Sequence, residues 1–284
     1  MKQLLPIDPL ATGARKRKTI AFWSCCLFFL VWRTFNHLLP CQLQNPPIVW
    51  VGNSLAGALY KYYGLYHGLV GSAVGSALFT GLLFASTVAA LLRPLHRVPA
   101  YLGAASWTLY AILSSAHLGH NAHLLAVPVV FSLVFLPRKN AAFHLLWEGM
   151  RYYVCFVYAS SLYWKLLKGA AFQSDFGLFS FRANLADYLL LNPETLRAHC
   201  YYFFLQHPLL LNAGAKLVFL MQGAFAIGFF TRKYDRFLLL FSLLIPVTTF
   251  LFADTLFLES SCAALVFFGE KYWRKGYGAE FDEG

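Results

Sequence analysis

Eight long apolar stretches, separated by short loops, run through almost the whole of this 284-residue chain. They lie at residues 19–35, 69–92, 99–116, 122–136, 145–167, 209–231, 237–252 and 256–268. A membrane-spanning helix needs about 20 apolar residues. Only 12% of the residues are charged, against roughly a quarter in soluble domains. The pattern predicts an all-α, polytopic transmembrane helical bundle of about eight spans, with the lipid bilayer as its surroundings.

The basic residues of the loops indicate how the predicted bundle is oriented. Fifteen of the 23 lysine and arginine residues share one side of it: Lys2, Arg15, Lys16, Arg17, Lys18, Arg93, Arg97, Arg138, Lys139, Arg232, Lys233, Arg236, Lys271, Arg274 and Lys275. Because basic loops stay in the cytoplasm, we expect cytoplasmic tails at 1–18 and 271–284 and a bundle at 19–270. The charges are dispersed at helix ends and do not form a groove lined by aromatic residues, which argues against nucleic-acid binding.

Two longer segments lie on the opposite, far side of the predicted bundle, at residues 36–67 and 168–208. Each mixes aromatic with charged residues, which suits the headgroup layer of a bilayer. We therefore expect short interfacial helices there, one of them starting after Asn192 with Pro193 in its first turn. Cys41 and Cys200 both fall on this side, where an oxidising environment would let them form a disulfide.

Polar and ionisable residues within the apolar stretches are the candidates for chemistry. A charge at bilayer depth costs a few kcal/mol and usually faces the bundle interior. The candidates are Arg33, Glu148, Arg151, Lys165, Lys216, Gln222, Asp254 and Glu259. Since Glu148 and Arg151 are three positions apart on one helix, a structural ion pair between them is favoured over catalysis.

Lys165 allows two interpretations. It follows Tyr163 and Trp164 near the far-side end of the fifth stretch, and a desolvated lysine there is a candidate catalytic base. The alternative is a lysine whose ammonium extends to the membrane surface from a helix end, as we expect for Lys168 one turn later.

His117, His120 and His123 form a local cluster between the third and fourth stretches. Neutral imidazoles bind transition metals, but Gly119 and Asn121 interrupt the helix here. We favour a polar turn, made by the three histidines and Asn121, that satisfies backbone groups at the helix ends. The sequence thus predicts no metal site, and it identifies no cofactor.

Several short motifs resemble the horizontally transferred transmembrane (HTTM) family. Residues 158–166, followed by Lys168 and Gly169, resemble its pattern of an aromatic residue, a small pair, Lys-Leu and then Gly. Arg33 and the run 119–125 fit as well, and the resemblance covers about residues 19–270. The family includes the membrane domain of vitamin K-dependent gamma-carboxylase, and a more distant resemblance is to DoxX-like proteins. It implies that Lys165 occupies the position of the lysine proposed as catalytic base in the carboxylase.

Two departures from the carboxylase argue against glutamate carboxylation. The stretch Thr248-Thr249-Phe250 has no histidine where the resemblance leads us to expect one. Gln222 is neutral where relatives often carry an acid. Whether the chain is an enzyme at all stays open.

Three functions remain open. The first is an HTTM-type membrane protein with a far-side polar cavity near Lys165 that handles a lipophilic molecule or a peptide. The second is a non-enzymatic accessory subunit of a membrane complex, with a membrane or secreted protein as partner. The third is a transporter, for which the sequence shows no inverted repeat. We expect the plasma membrane of a bacterium as the location, since no retention or glycosylation signal stands out.

Overall fold

The computed structural model of the chain describes residues 9–43, 68–117, 123–253, 258–269 and 272–273. Within these residues there are helices and no strands. The α-helices are α1 (Pro9–Phe35), α2 (Ala73–Leu92), α3 (Arg97–His117), α4 (His123–Leu133), α5 (Asn140–Leu167), α6 (Phe176–Leu191), α7 (Leu196–Gln206), α8 (Pro208–Ala224) and α9 (Asp235–Ala253). Short 3₁₀ helices lie at Pro40–Gln42, Phe225–Phe229 and Leu258–Phe267. The prediction of an all-α chain is confirmed for the described part.

Each of the eight predicted apolar stretches overlaps a helical segment. Among the described residues, three segments are long and apolar enough to cross a membrane: Thr12–Gln42, Ala73–Leu92 and Pro208–Phe229. Helix α5 is also long enough to cross a membrane, but it contains the charged residues Glu148, Arg151 and Lys165. The described part of the chain therefore has three candidate membrane spans, and the number of eight stays a prediction.

The chain divides into two compact units, Met1–Glu148 with Phe268–Gly284, and Gly149–Phe267. In the first unit, aromatic rings pack α1 against the region after α4: the Phe22 ring centroid lies 5.0 Å from that of Phe135. The Trp23 ring of α1 also packs against α3, where a Cβ atom on Gly103 would lie 2.6 Å from it. Small residues at helix contacts permit such close packing.

The second unit has its own hydrophobic core around α6, α7 and α8. Phe181 and Leu185 of α6, Tyr201 of α7 and Leu211 of α8 are all buried there. Helices α6 and α8 meet at Gly177, where an added Cβ atom would lie 2.3 Å from the Leu211 carbonyl oxygen. The far-side segment 168–208 is thus mostly helical, as predicted.

Two predicted helix starts are corrected by the structure. Helix α7 begins at Leu196, with the Thr195 hydroxyl accepting a hydrogen bond from the Ala198 amide, so Thr195 is the N-cap. Asn192 instead follows the end of α6, where its amide donates to the Tyr188 carbonyl oxygen. Helix α1 begins at Pro9, well before the predicted start of the first span. The other far-side segment, 36–67, is described only up to residue 43.

Candidate functional site

Side chains from the second half of α5 contact α8 and the 3₁₀ helix that follows it, in antiparallel order along the two segments. The Tyr158 ring of α5 stacks on the Phe225 ring, with centroids 4.3 Å apart. One helical turn further along α5, the Leu162 side chain lies directly over Gly223, where an added Cβ atom would be 2.8 Å from Leu162 Cδ2. The absence of a side chain on Gly223 leaves room for Leu162. The next residue on this face of α5 is Lys165.

The Lys165 ammonium group is held between three oxygen atoms. Nζ donates to Ser161 Oγ at 2.7 Å and to Gln222 Oε1 at 3.0 Å, with a longer contact of 3.3 Å to the Ser161 carbonyl oxygen. It also lies 5.6 Å from the centre of the Phe219 ring, within range of a cation–π interaction. Gln222 is buried, and Lys165 is half-buried. The sequence predicted both residues as polar sites but gave no reason to pair them.

Lys216 of α8 also lies near the Phe219 ring. Its Nζ lies 5.8 Å from the centre of the Phe219 ring. The same nitrogen donates to the carbonyl oxygens of Ala171 and Gln173, the latter at 2.9 Å. These carbonyl groups lie in the turn that follows α5, so Lys216 ties that turn to α8.

Neutral groups are the partners of both ammonium groups. Within the part of the chain that the structure describes, neither Lys165 nor Lys216 has a carboxylate within ion-pair distance. Two positive charges therefore lie around Phe219 with only hydroxyl, amide and carbonyl oxygens to stabilise them. Such an arrangement can donate hydrogen bonds to an oxygen-bearing ligand and can balance a negative charge on it.

Arg151, near the other end of the contact between α5 and α8, forms a buried cluster with Asp235. Arg151 NH2 lies 2.6 Å from Asp235 Oδ1, and Nε donates to both carboxylate oxygens. The guanidinium also donates to the carbonyl oxygens of Gly228, at 2.8 Å, and Thr231, at 2.9 Å. Arginine thus satisfies carbonyl groups at the end of the 3₁₀ helix Phe225–Phe229, and the arrangement is structural in character.

Sequence reasoning missed Asp235 because it considered only charges inside the apolar stretches. The available signal was its place as the first residue of α9, where an acid is stabilised by the helix dipole. The predicted Glu148–Arg151 ion pair stays a prediction, and Glu148 itself is half-buried.

Two buried arginines lie in the first unit. Arg33 is 1% exposed and donates to Tyr110 Oη at 3.1 Å, while that hydroxyl donates to the Leu38 carbonyl oxygen at 2.7 Å. Arg15, which the sequence assigned to a tail, donates to the carbonyl oxygens of Phe135, at 3.3 Å, and Pro137, at 2.7 Å. Both arginines therefore fix chain segments that follow helix ends.

The remaining predicted site residues are not brought together by the described structure. His117 ends α3, His123 begins α4 and Glu259 lies in the last 3₁₀ helix, while His120, Asn121 and Asp254 lie outside the described residues. Among the residues searched, no group of three histidine, cysteine or acidic side chains could hold a metal ion. Cys41 is half-buried and Cys200 is exposed, and each has a free thiol in the structure, so the disulfide stays a prediction.

Comparison with known proteins adds nothing to this picture: no protein-family model, no curated protein and no solved structure matches the chain. Among the sites described, the one around Lys165 combines partial burial, positive charge and neutral partners.

Proposed function

We propose that the chain is a multi-pass membrane protein of the HTTM type, whose site around Lys165 handles a lipophilic molecule or a peptide. The observation that carries the proposal is the half-buried Lys165 ammonium, held by Ser161 Oγ and Gln222 Oε1 with no carboxylate partner among the described residues. Ionisable side chains within membrane-spanning segments usually face the protein interior or a cavity and often mark binding sites. Neutral oxygens can be exchanged for those of a ligand without leaving a charge unpaired.

The arrangement of α5 and α8 supports a membrane setting. Arg151 and Lys165 are separated by about 21 Å along α5 at 1.5 Å per residue, and the intervening contacts to the α8 region are apolar or aromatic, as at Tyr158 and Leu162. On the outer face, large apolar side chains are left uncovered, with Leu220 71% exposed. Water disfavours such a surface, whereas lipid does not.

The proposed topology has eight spans, cytoplasmic termini and a far-side site, in a bacterial plasma membrane. The test is labelling of single cysteines, introduced into a variant lacking the native ones, by a membrane-impermeant maleimide on intact cells. We expect labelling at Lys168→Cys on the far side and none at Lys233→Cys until the membrane is permeabilised. Labelling of both positions on intact cells, or of neither, contradicts the topology.

Lys165 can act on a bound molecule in two ways. As an ammonium group it donates hydrogen bonds to a carbonyl, hydroxyl or phosphoryl oxygen, with Ser161 and Gln222 orienting Nζ. As a neutral amine it can accept a proton, the role that the HTTM resemblance implies. Both roles require the ligand to replace one of the present oxygen partners.

Retention of a lipophilic molecule during purification tests the site directly. Wild-type protein, Lys165→Met and Lys168→Met would be purified in the same neutral detergent, and extracted small molecules quantified by mass spectrometry. Lys168 is the matched control, because it lies three residues further along the chain, just after the end of α5, is exposed and makes no side-chain hydrogen bond to another described residue. We expect a molecule that wild type and Lys168→Met retain and Lys165→Met loses. Identical extracts from all three proteins contradict the proposal.

A non-enzymatic accessory subunit is the second candidate function, and the turn between α6 and α7 favours it. Leu190, Leu191 and Leu196 around that turn are largely exposed, although α6 and α7 bury their other faces in the core of this unit. Exposed apolar groups can bind a protein partner. Replacing all three leucines by serine would abolish co-purification of such a partner while leaving the extracted small molecules unchanged.

A further inference from the structure

We propose that the ligand of the Lys165 site is an anionic amphiphile. Its carboxylate or phosphate headgroup would be bound jointly by Lys165 and Lys216, and its apolar chain would lie along α5 and α8. The inference rests on the proposed function, because it specifies the class of molecule that the same site takes. Three properties of the site support it: its positive charge, its hydrogen-bond donors that are unused or easily exchanged, and the apolar surface beside the two lysines.

The charge around Phe219 favours an anion as ligand. Lys165 and Lys216 place their Nζ atoms 5.6 and 5.8 Å from the centre of that ring, and neither has an acidic partner among the described residues. A bound anion would supply the counter-charge that these two ammonium groups lack, so the site favours a negative group over a neutral one.

The number of hydrogen-bond donors that the two ammonium groups can offer matches the oxygens of one headgroup. An ammonium group has three hydrogens, and those of Lys216 have two acceptors, the carbonyl oxygens of Ala171 and Gln173. One donor of Lys216 is therefore left for a ligand. Lys165 has three contacts, but the one to the Ser161 carbonyl oxygen is long at 3.3 Å and is the easiest to exchange. Two ammonium donors can thus bind two oxygens of a carboxylate or phosphate.

The surface beside the two lysines suits an apolar chain. On α8, Leu217 and Leu220 are exposed next to the line formed by Lys216, Phe219 and Gln222 at intervals of three residues. A free phosphate or acetate ion would leave this surface uncovered. An amphiphile covers it and keeps its headgroup beside the two ammonium groups, near the end of α5.

The experiment measures binding of defined probes to the full-length protein in neutral detergent by native mass spectrometry. The probes are oleate and dioleoyl phosphatidylglycerol, compared with methyl oleate, dioleoyl phosphatidylcholine and inorganic phosphate. The proteins are wild type, Lys165→Met, Lys216→Met and the control Lys168→Met. We expect oleate and phosphatidylglycerol to bind wild type and Lys168→Met equally. Each of the other two substitutions should weaken binding about tenfold to a hundredfold, the effect of removing a charge-assisted hydrogen bond.

Several outcomes would overturn the inference. Binding of the neutral lipids as tight as that of the anionic ones would exclude charge recognition, and tight binding of inorganic phosphate alone would exclude the amphiphile. Equal effects of Lys216→Met and Lys168→Met would exclude a joint site. Unchanged circular dichroism and melting of each variant show that a loss of binding is not a loss of folding.

Failure of this inference can be told from failure of the proposed function. If Lys165→Met loses its co-purifying molecule but binds oleate and phosphatidylglycerol like wild type, the site handles a ligand of another class, and only the inference falls. If Lys165→Met keeps the co-purifying molecule and also binds oleate and phosphatidylglycerol like wild type, the inference and the proposed function both fall. If it loses the molecule and the lipid binding together, an anionic amphiphile is supported as the molecule that the site handles.

Discussion

Removal of Asp235 tests the buried cluster around Arg151. The Arg151 side chain is 2% exposed and that of Asp235 16%, so both charges are largely shielded from water. Breaking a buried ion pair by removing one partner costs about 3–5 kcal/mol. We predict that Asp235→Ala lowers the free energy of unfolding by about 3 kcal/mol, the low end of that range, because solvent reaches part of the carboxylate.

Arg151→Ala should cost more than Asp235→Ala. The guanidinium also donates to the carbonyl oxygens of Gly228 and Thr231, which would lose these hydrogen bonds. Once Arg151 is absent, Asp235 has lost its cation, so removing it as well should cost little. We therefore expect the double variant to be more stable than the sum of the single effects predicts, by about 1–3 kcal/mol.

The measurement is equilibrium unfolding in mixed micelles of dodecyl maltoside and dodecyl sulfate, followed by circular dichroism. Lys233→Ala is the control, because Lys233 lies two residues before Asp235 and is exposed, with its Nζ 5.7 Å from the centre of the Tyr234 ring. We expect the control to change stability by less than about 0.5 kcal/mol. The reasoning would be refuted if Asp235→Ala cost no more than the control, or if the two single effects were simply additive.

Two further predictions concern close helix contacts. Gly228→Ala would place its Cβ atom 2.5 Å from Cys155 Sγ, so we expect a loss of about 1–3 kcal/mol, as for other overpacked sites; Cys155→Ala in the same chain should recover part of it, and thermal melting measures both. Gly103→Ala would bring its Cβ atom within 2.6 Å of the Trp23 ring and should lower the melting temperature. At Gly81 an added Cβ atom meets nothing within 4 Å, so Gly81→Ala is the control, and an equal loss there would contradict the explanation.

The helices themselves could be predicted from the sequence, because the apolar stretches and their lengths are local properties. The residues at which helices begin and end were harder to predict from the sequence. The start of α7 depends on a hydrogen bond from the Ala198 amide to the Thr195 hydroxyl, and Asn192 with Pro193 offered a competing start signal. Single-residue boundaries depend on which of several capping side chains the final packing favours.

The candidate site could be predicted only in part. Lys165 and Gln222 were each identified as polar residues in apolar surroundings, but they are 57 positions apart, and no local pattern determines which residues of two helices meet. Their pairing follows from the register of α5 against α8, set by contacts such as Leu162 on Gly223. The Arg151–Asp235 pair was missed because Asp235 lies outside the apolar stretches, and its distance of 84 positions from Arg151 also leaves no local pattern that would join them.

The hydrogen bonds of Arg15 constrain the order in which the chain can mature during biosynthesis. Their acceptor on Phe135 is 120 positions further along, so at 5–20 residues per second the ribosome needs on the order of ten seconds to supply it. Until then the guanidinium must stay hydrated. The first helix therefore cannot settle into its final environment when it emerges, and a nascent chain arrested before residue 135 would retain a cationic, unburied amino-terminal end.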